Sequence, residues 1–172
     1  MNFCNFCRVT AVIFFIAALL FYAGESISEE SELRENYRSG IRKCFIEAAK
    51  TYRVSVWLLW GIAKVESNFN PRAVRKNRNG SYDVGLMQIN TVWLPVLRKY
   101  GITLQDLFDP CVNVKVGAWI LAQCIRDYGY TWRAVGCYHS RNVKRGMRYA
   151  GRVRKVIAME MKRKEMKAGG KL

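Results

Sequence analysis

The chain has 172 residues, 51% of them apolar, with 29 Lys or Arg against 13 Asp or Glu and one His, a formal charge of +16. That length supports one domain with a real core and not two comfortable ones, and the apolar content excludes a wholly disordered polymer. The charge suits an anionic polymer or surface: cell-wall glycan with its peptide carboxylates, anionic lipid, or nucleic acid.

Arg8 precedes an apolar run from Val9 to Ala23, broken only by Thr10, and small residues follow at Gly24, Ser26 and Ser28. This is the order of a secretory signal, and the run is short for a membrane span of about 20 residues. Residues 1–28 are therefore expected to be a signal peptide cleaved after Ser26 or Ser28, with an uncleaved anchor as the alternative. Either way the remainder is exported. Glu29, Glu30, Glu32 and Glu35 make an acidic segment over 29–40. The globular part is expected over 41–150, followed by a basic helix or tail over 151–172; Arg141 to Lys171 holds twelve Lys or Arg against two Glu.

From 41 onward the apolar pattern is helical almost throughout, so the fold class is mainly α, with no repeat and no low-complexity linker. Residues 41–52 read as a helix with Ile41, Phe45 and Ala48/Ala49 on one face. Ser55 reads as the N-cap of Val56–Glu66, which is apolar nearly all round and so predicts a buried central helix. Asn68, Asn70 and Pro71 stop it. Residues 70–84 read as a basic, amide-rich loop, with a small β-hairpin expected near 77–86 around Gly80. Thr91 to Tyr100 predicts a short helix closed by Gly101. Thr103 and Asp106 have capping-box spacing. Asn113 is expected to cap a helix to Tyr128, and Thr131 a short helix bearing Val135, Cys137 and Tyr138. A last basic helix is expected from about 142 to 166, with Val153, Val156/Ile157 and Glu160/Met161 as a thin apolar edge. Most of the five Trp are expected in the core.

Cys4 and Cys7 leave with the signal. Cys44, Cys111, Cys124 and Cys137 remain, an even number suited to an oxidising compartment. Of three pairings, Cys44–Cys111 with Cys124–Cys137 is preferred, because the second pair links a helix to the segment just after it. Zinc is disfavoured, since these four cysteines show no CxxC spacing, no HxxxH exists and His139 stands alone.

Leu59, Ile62, Ala63 and Glu66 fall at i, i+3, i+4 and i+7, so Glu66 continues an apolar stripe. Loss of water and the negative end of the helix dipole both favour its protonated form. A carboxylic acid kept neutral near pH 7 can protonate the leaving oxygen of a glycosidic bond. Taken alone, the spacing better suits a solvated glutamate at a fraying helix end. A second carboxylate would permit hydrolysis. Asp83, placed on the loop two residues before Gly85, is the candidate, with a turn-forming role as its plainer reading.

Glu66-Ser67-Asn68-Phe69-Asn70-Pro71, then Gly85-Leu86-Met87-Gln88-Ile89-Asn90, then Val135-Gly136-Cys137-Tyr138-His139 resembles the lytic transglycosylase family, peptidoglycan-cleaving enzymes with a goose-type lysozyme-like fold (the SLT domain). The likeness spans about residues 44–140. It implies a single lysozyme-like domain with Glu66 as its catalytic acid and Ser67 orienting that carboxylate. It further implies that Gly85, Leu86, Met87, Gln88 and Ile89 line a glycan groove, and that Tyr138 hydrogen-bonds near the acid. The third motif departs from the family's usual Ala-Tyr-Asn. His139 stands at the amide position, where it either replaces the Asn or caps the helix.

What the resemblance implies chemically is cleavage of the bond between N-acetylmuramic acid and N-acetylglucosamine to give 1,6-anhydro products. No metal and no cofactor is implied. A lysozyme-type hydrolase using Asp83 and a non-catalytic peptidoglycan-binding module are the alternatives. Size, signal and basic surface resemble members that accompany type III or type IV secretion and type IV pilus machines. Expected partners are thus glycan strands and components of such a machine. Weak membrane-surface contact through the basic C-terminus is a further expectation; nucleic acid is not expected, and the chain is expected to be monomeric. The expected location is the periplasm, or the periplasmic side of the inner membrane if the anchor is uncleaved.

Overall fold

The computed structural model describes Glu32 and residues 35–169. The signal peptide and residues 29–31, 33 and 34 of the acidic segment lie outside the described residues. The chain divides into two compact units after Gly40, and every element below belongs to the unit that begins at Ile41. Residues 35–40 are helical.

The first helix of this unit, α1 (residues 41–52), buries Phe45, Ala48 and Ala49. Cys44 on it is disulfide-bonded to Cys111. Next comes α2 (Val56–Ser67), whose N-cap Ser55 accepts the Trp57 N–H at 3.2 Å. Three strands follow, β1 (Val74–Lys76), β2 (Tyr82–Val84) and β3 (Ile89–Asn90), in one antiparallel sheet ordered β1-β2-β3. A 3-10 turn, the short α3 (Leu94–Leu97) and another 3-10 turn lead to Gly101, whose φ of 74° closes the segment. Then come α4 (Pro110–Tyr128), α5 (Trp132–His139) and α6 (Val143–Gly169). Cys124 of α4 bonds Cys137 of α5.

Several elements differ from the sequence expectations. The loop expected over 70–84 contains β1 and β2, and the hairpin near 77–86 widens to a three-stranded sheet that starts at Val74. Three-residue strands carry too little alternation to be read as strands. The α2 helix is only half buried: Leu59, Gly61, Ile62 and Ala63 face the core while Val56 is exposed. Its other aromatics cover one another instead; Trp57 meets Trp60 edge-on at 6.0 Å, and the Lys164 ammonium lies 4.6 Å from the Trp57 ring centroid. All five Trp are partly buried or exposed; none reaches the core proper.

Asn113 does not cap α4. Asp109 does, through Val112 N–H at 2.8 Å, with Pro110 in the first turn. Thr131 occupies the N-cap position of α5, but its hydroxyl donates to the Tyr128 carbonyl at 3.0 Å. The expected capping box at Thr103 does form, with Thr103 N–H on Asp106 at 2.8 Å and Asp106 N–H on Thr103 Oγ1 at 3.4 Å.

The boundary expected at 150/151 has no counterpart. α6 runs through it unbroken, and its buried stripe is Gly146, Tyr149/Ala150, Val153 and Ile157. Met161, expected on that edge, is largely exposed. α6 packs on α2 where Gly61 has no side chain; a Cβ there would come within 2.7 Å of Ile157 and 3.1 Å of Val153. It also crosses α5 at very close range. A Cβ on Gly136 would meet the main chain of Gly146 at 2.7 Å, and backbone cannot yield as a side chain could. Val153 and Ile157 each contribute about 1.5–3 kcal/mol by burial, so residues 151–157 belong to the globular unit.

Candidate active site

Glu66 is reached along the buried face of α2. Leu59, Ile62 and Ala63 are all fully buried, and one turn further Glu66 emerges into a cleft of about 320 Å³. The helix ends there because Asn68 and Phe69 both adopt left-handed backbone, φ 54° and 65°. Asn68 N–H then closes the last turn onto Lys64 at 3.2 Å.

The opposite wall is the Gly85–Asn90 segment, and four attachments hold it. The Ser67 hydroxyl donates to the Leu86 carbonyl at 2.6 Å and accepts Asn70 N–H at 3.1 Å. Asn113 Oδ1 accepts Met87 N–H at 2.7 Å, while its Nδ2 donates to the Val84 and Leu107 carbonyls at 3.0 and 2.7 Å. The Tyr138 hydroxyl donates to the Met87 carbonyl at 2.8 Å. Gln88, at a φ of 51°, donates Nε2 to the Ala73 and Gly85 carbonyls at 3.1 and 3.0 Å. Gly85 is required twice over. Its φ is 78°, and a Cβ there would strike the Asn113 amide; left-handed backbone is costly for other residues.

Burial is the largest influence on Glu66 and pushes its carboxyl pKa up. The Asp83 charge adds to that rise, while the Tyr149 hydroxyl and the Arg75 and Arg152 guanidiniums pull it down. The Tyr149 hydroxyl is buried and has no well-formed hydrogen bond among the described residues. It lies near the Glu66 carboxyl all the same, since each perturbs the other. Burial and the Glu66 charge together hold both Tyr138 and Tyr149 far above the ordinary phenol pKa, so both stay protonated donors. His139 stacks on the Tyr149 ring at 4.7 Å and 7°. Burial, then Arg152 and Arg75, lower its pKa, which favours the neutral ring at pH 7.

The cleft gathers Glu66, Asp83, Gln88, Ile89, Tyr138 and His139 from the expected set. Others lie elsewhere. Leu86 and Met87 are fully buried behind the wall, and Gly85 backs onto Asn113, so none of the three lines the groove. Ser67 spends its hydroxyl on the Leu86 carbonyl; it positions the wall and not the Glu66 carboxylate. Asp83 is on β2, not a loop, and is buried. Its Oδ2 accepts Arg75 Nε and Nη2 at 3.1 and 2.8 Å, and its Oδ1 accepts Asn90 Nδ2 at 2.6 Å.

The sequence reading missed Arg75, Asn77, Asn90 and Trp93 on the cleft wall and Tyr149 behind it. Tyr149 falls four residues before Val153 on the same stripe, which would have found it. Asn113 likewise precedes Gly117 and Leu121 at helical spacing, so its place on a buried face was readable. Trp93 stands edge-on to Trp119 at 5.3 Å. Among the described residues, no group of three or more His, Cys, Asp or Glu is placed to hold a metal ion.

Residues 43–159 match the family described as Transglycosylase SLT domain. The chain is 45% identical to Invasion protein IagB of Salmonella typhimurium over 98 residues, which cover 56% of this chain and 61% of that one. It is 38% identical over 122 residues to a peptidoglycan-binding-like protein of Escherichia coli O157:H7, covering 64% and 73% of the two chains. Among solved structures it is similar to the lytic transglycosylase Slt inactive mutant E503Q from Pseudomonas aeruginosa, with a TM-score of 0.50 and 28% identity; the likeness covers 66% of this chain and 17% of that one. The family match takes in α2, the sheet, the Gly85–Asn90 wall, α4, α5 and the buried part of α6, and the protein therefore belongs to the SLT-domain transglycosylase family, with that family's lysozyme-like, mainly α fold.

Proposed function

We propose that the chain is a peptidoglycan lytic transglycosylase in which Glu66 is the catalytic acid and base. The observation that carries this is the position of Glu66: a carboxyl whose pKa burial raises, facing a cleft between the Gly85–Asn90 wall and Tyr138. A neutral carboxylic acid there protonates the oxygen between N-acetylmuramic acid and N-acetylglucosamine. The substrate's own acetamide stabilises the oxocarbenium-like centre. Glu66, now a carboxylate, takes the proton of the muramoyl 6-hydroxyl as that oxygen bonds to C1 and closes the 1,6-anhydro ring. Water is not consumed. Gln88, Ile89, Tyr138 and His139 bind glycan along the cleft, and Ser67 and Asn113 hold its wall.

The hydrolytic reading draws on the presence of Asp83 in the same cleft. Both Asp83 oxygens are already engaged, one by Arg75 and one by Asn90. A carboxylate pinned in the sheet and neutralised by a guanidinium is a weaker nucleophile or base than a free one, so the lyase reading is favoured. Mass analysis of products from purified sacculi decides between them. Anhydro-muropeptides, lighter by one water than hydrolysed ones, are expected; reducing-end products alone would overturn the lyase reading. Binding to sacculi without release of muropeptides would support a non-catalytic module.

The proposed setting is the cell wall of the periplasm, reached through the signal over residues 1–28. The catalytic unit is taken to run from 41 to about 159. Likeness to a protein named for invasion supports a role in opening the wall for a secretion or pilus apparatus. No helix among the described residues is long and apolar enough to cross a membrane.

A further inference from the structure

The cleft holds one cation that the glycosidic chemistry does not use. Arg75 is the middle residue of β1 and pairs directly with Asp83 of β2 in the sheet register. Its Nε and Nη2 both donate to Asp83 Oδ2. Asp83 is in turn fixed to β3 through Asn90, and its side chain is 9% exposed. A buried carboxylate braced by two strands thus aims the guanidinium. The Arg75 side chain nevertheless stays 55% exposed and lines the cleft beside Glu66. Its Nη1 makes no hydrogen bond among the described residues.

A guanidinium offers five N–H groups in a planar fork. Two are spent on Asp83. The remaining edge, with parallel N–H groups on Nη1 and Nη2, has the geometry that accepts a carboxylate through two bonds. The cation is also a burden on the acid it neighbours, because it draws the Glu66 pKa down. A neutral glycan would leave that burden in place. An anion seated on Arg75 would offset it and help Glu66 keep its proton.

We infer that Arg75, aimed by Asp83, forms a carboxylate subsite at the edge of the cleft, which takes a carboxylate carried on the 3-O substituent of a muramoyl sugar. That group is either the lactyl carboxylate itself or one on the attached stem peptide. The inference rests on the glycan reading given above and supplies the anionic contact which that reading leaves unassigned.

Binding is measured with the full chain carrying Glu66→Gln, so that nothing turns over. Three soluble glycan probes are used: strands with free stem carboxylates, the same strands with those carboxylates coupled to methylamine, and amidase-stripped strands whose only carboxylate is the lactyl group. Arg75→Gln in that background is expected to weaken binding about tenfold, the scale of one lost charge-assisted contact. The loss is confined to the probes whose carboxylate it holds: stem-bearing strands, stripped strands, or both identify the source. On the methylamine-coupled strands the two proteins bind alike. Arg75→Lys keeps the charge without the fork and falls between; it also carries the test if the Gln protein fails to fold. An equal loss on all three probes, or no loss on any, would reduce Arg75 to a structural partner of Asp83 and overturn the subsite. A Glu66→Gln protein with Arg75 intact that binds none of the probes would instead sink the glycan reading, and the subsite with it.

Discussion

Asn113 of α4 and Met87 of the cleft wall are joined by a hydrogen bond of 2.7 Å from the Met87 N–H to the Asn113 side-chain oxygen, 26 residues apart in the chain. The same amide donates twice more, to Val84 and Leu107. A fully buried side-chain amide is thus satisfied by three main-chain groups, those of Val84 at the end of β2, Met87 in the cleft wall and Leu107 in the turn before α4. The wall opposite Glu66 therefore has its shape set from α4.

Asn113→Ala is expected to destabilise the fold by about 3 kcal/mol or more, because buried main-chain groups lose partners that water cannot replace. Urea unfolding with both disulfides intact measures this. A midpoint within error of the parent would show that the wall holds without the amide.

Glu66→Gln is expected to abolish glycan cleavage while leaving the fold intact. It should also raise thermal stability near neutral pH. The Glu66 pKa is higher folded than unfolded, so its contribution is fully present below the unfolded value, near 4.5, and is lost as pH rises through the folded one. The variant avoids that loss. Its advantage should therefore appear at pH 7 and vanish at about pH 3. A stability difference independent of pH would place Glu66 in water.

Cleavage rate is expected to fall with rising pH as Glu66 ionises. Arg152 holds the Glu66 pKa down, so Arg152→Gln should move that alkaline limb to higher pH. Tyr149→Phe should shift it the same way by removing the neighbouring hydroxyl that lowers the Glu66 pKa, with little cost in stability because that hydroxyl has no well-formed hydrogen bond among the described residues. Pre-steady-state release of muropeptides across pH checks both. A shift towards lower pH would contradict the assigned electrostatics.

Removing residues 151–172 is expected to unfold the catalytic unit, since Val153 and Ile157 leave a void against α2 worth about 2–5 kcal/mol for each large side chain lost. Removing 160–172 leaves the buried stripe complete and should be tolerated, with any change confined to binding of anionic surfaces. Far-UV and near-UV circular dichroism of the two truncations separates these outcomes.

Reduction of Cys44–Cys111, which closes 67 residues of chain, is expected to cost about 4 kcal/mol on the chain-entropy scale. Replacing both cysteines with Ser and following the melting temperature tests the value. Cys124–Cys137 closes a much shorter loop and should matter less.

Local signals were readable wherever one helix carries them. The Leu59–Glu66 face, the Ser55 cap, the stop at Gly101 and the Thr103–Asp106 box all depend on residues within seven positions of one another. Asn113 was misread for the same reason. An Asn near a helix start has a local meaning as a cap, and only the arrival of residues 84–87 gives it another. Asp83 was read as part of a loop because three-residue strands show almost no alternation, and its engagement with Arg75 and Asn90 exists only once the strands pair.

The sequence by itself determined the mainly α class, the acid at the end of an apolar stripe, the order of the three motifs and the excess of positive charge. Each follows from residue type and spacing along a single element. Tertiary structure alone decided which motif residues reach the cleft, since Leu86 and Met87 are buried behind its wall while Gln88 opens onto it and Ile89, though in the core, lines its floor. It also decided that Asp83 is tied to Arg75, and that α6 belongs to the core. Hydrogen bonds and burial between distant segments determine these outcomes, and their energy depends on which groups folding brings together and shields from water.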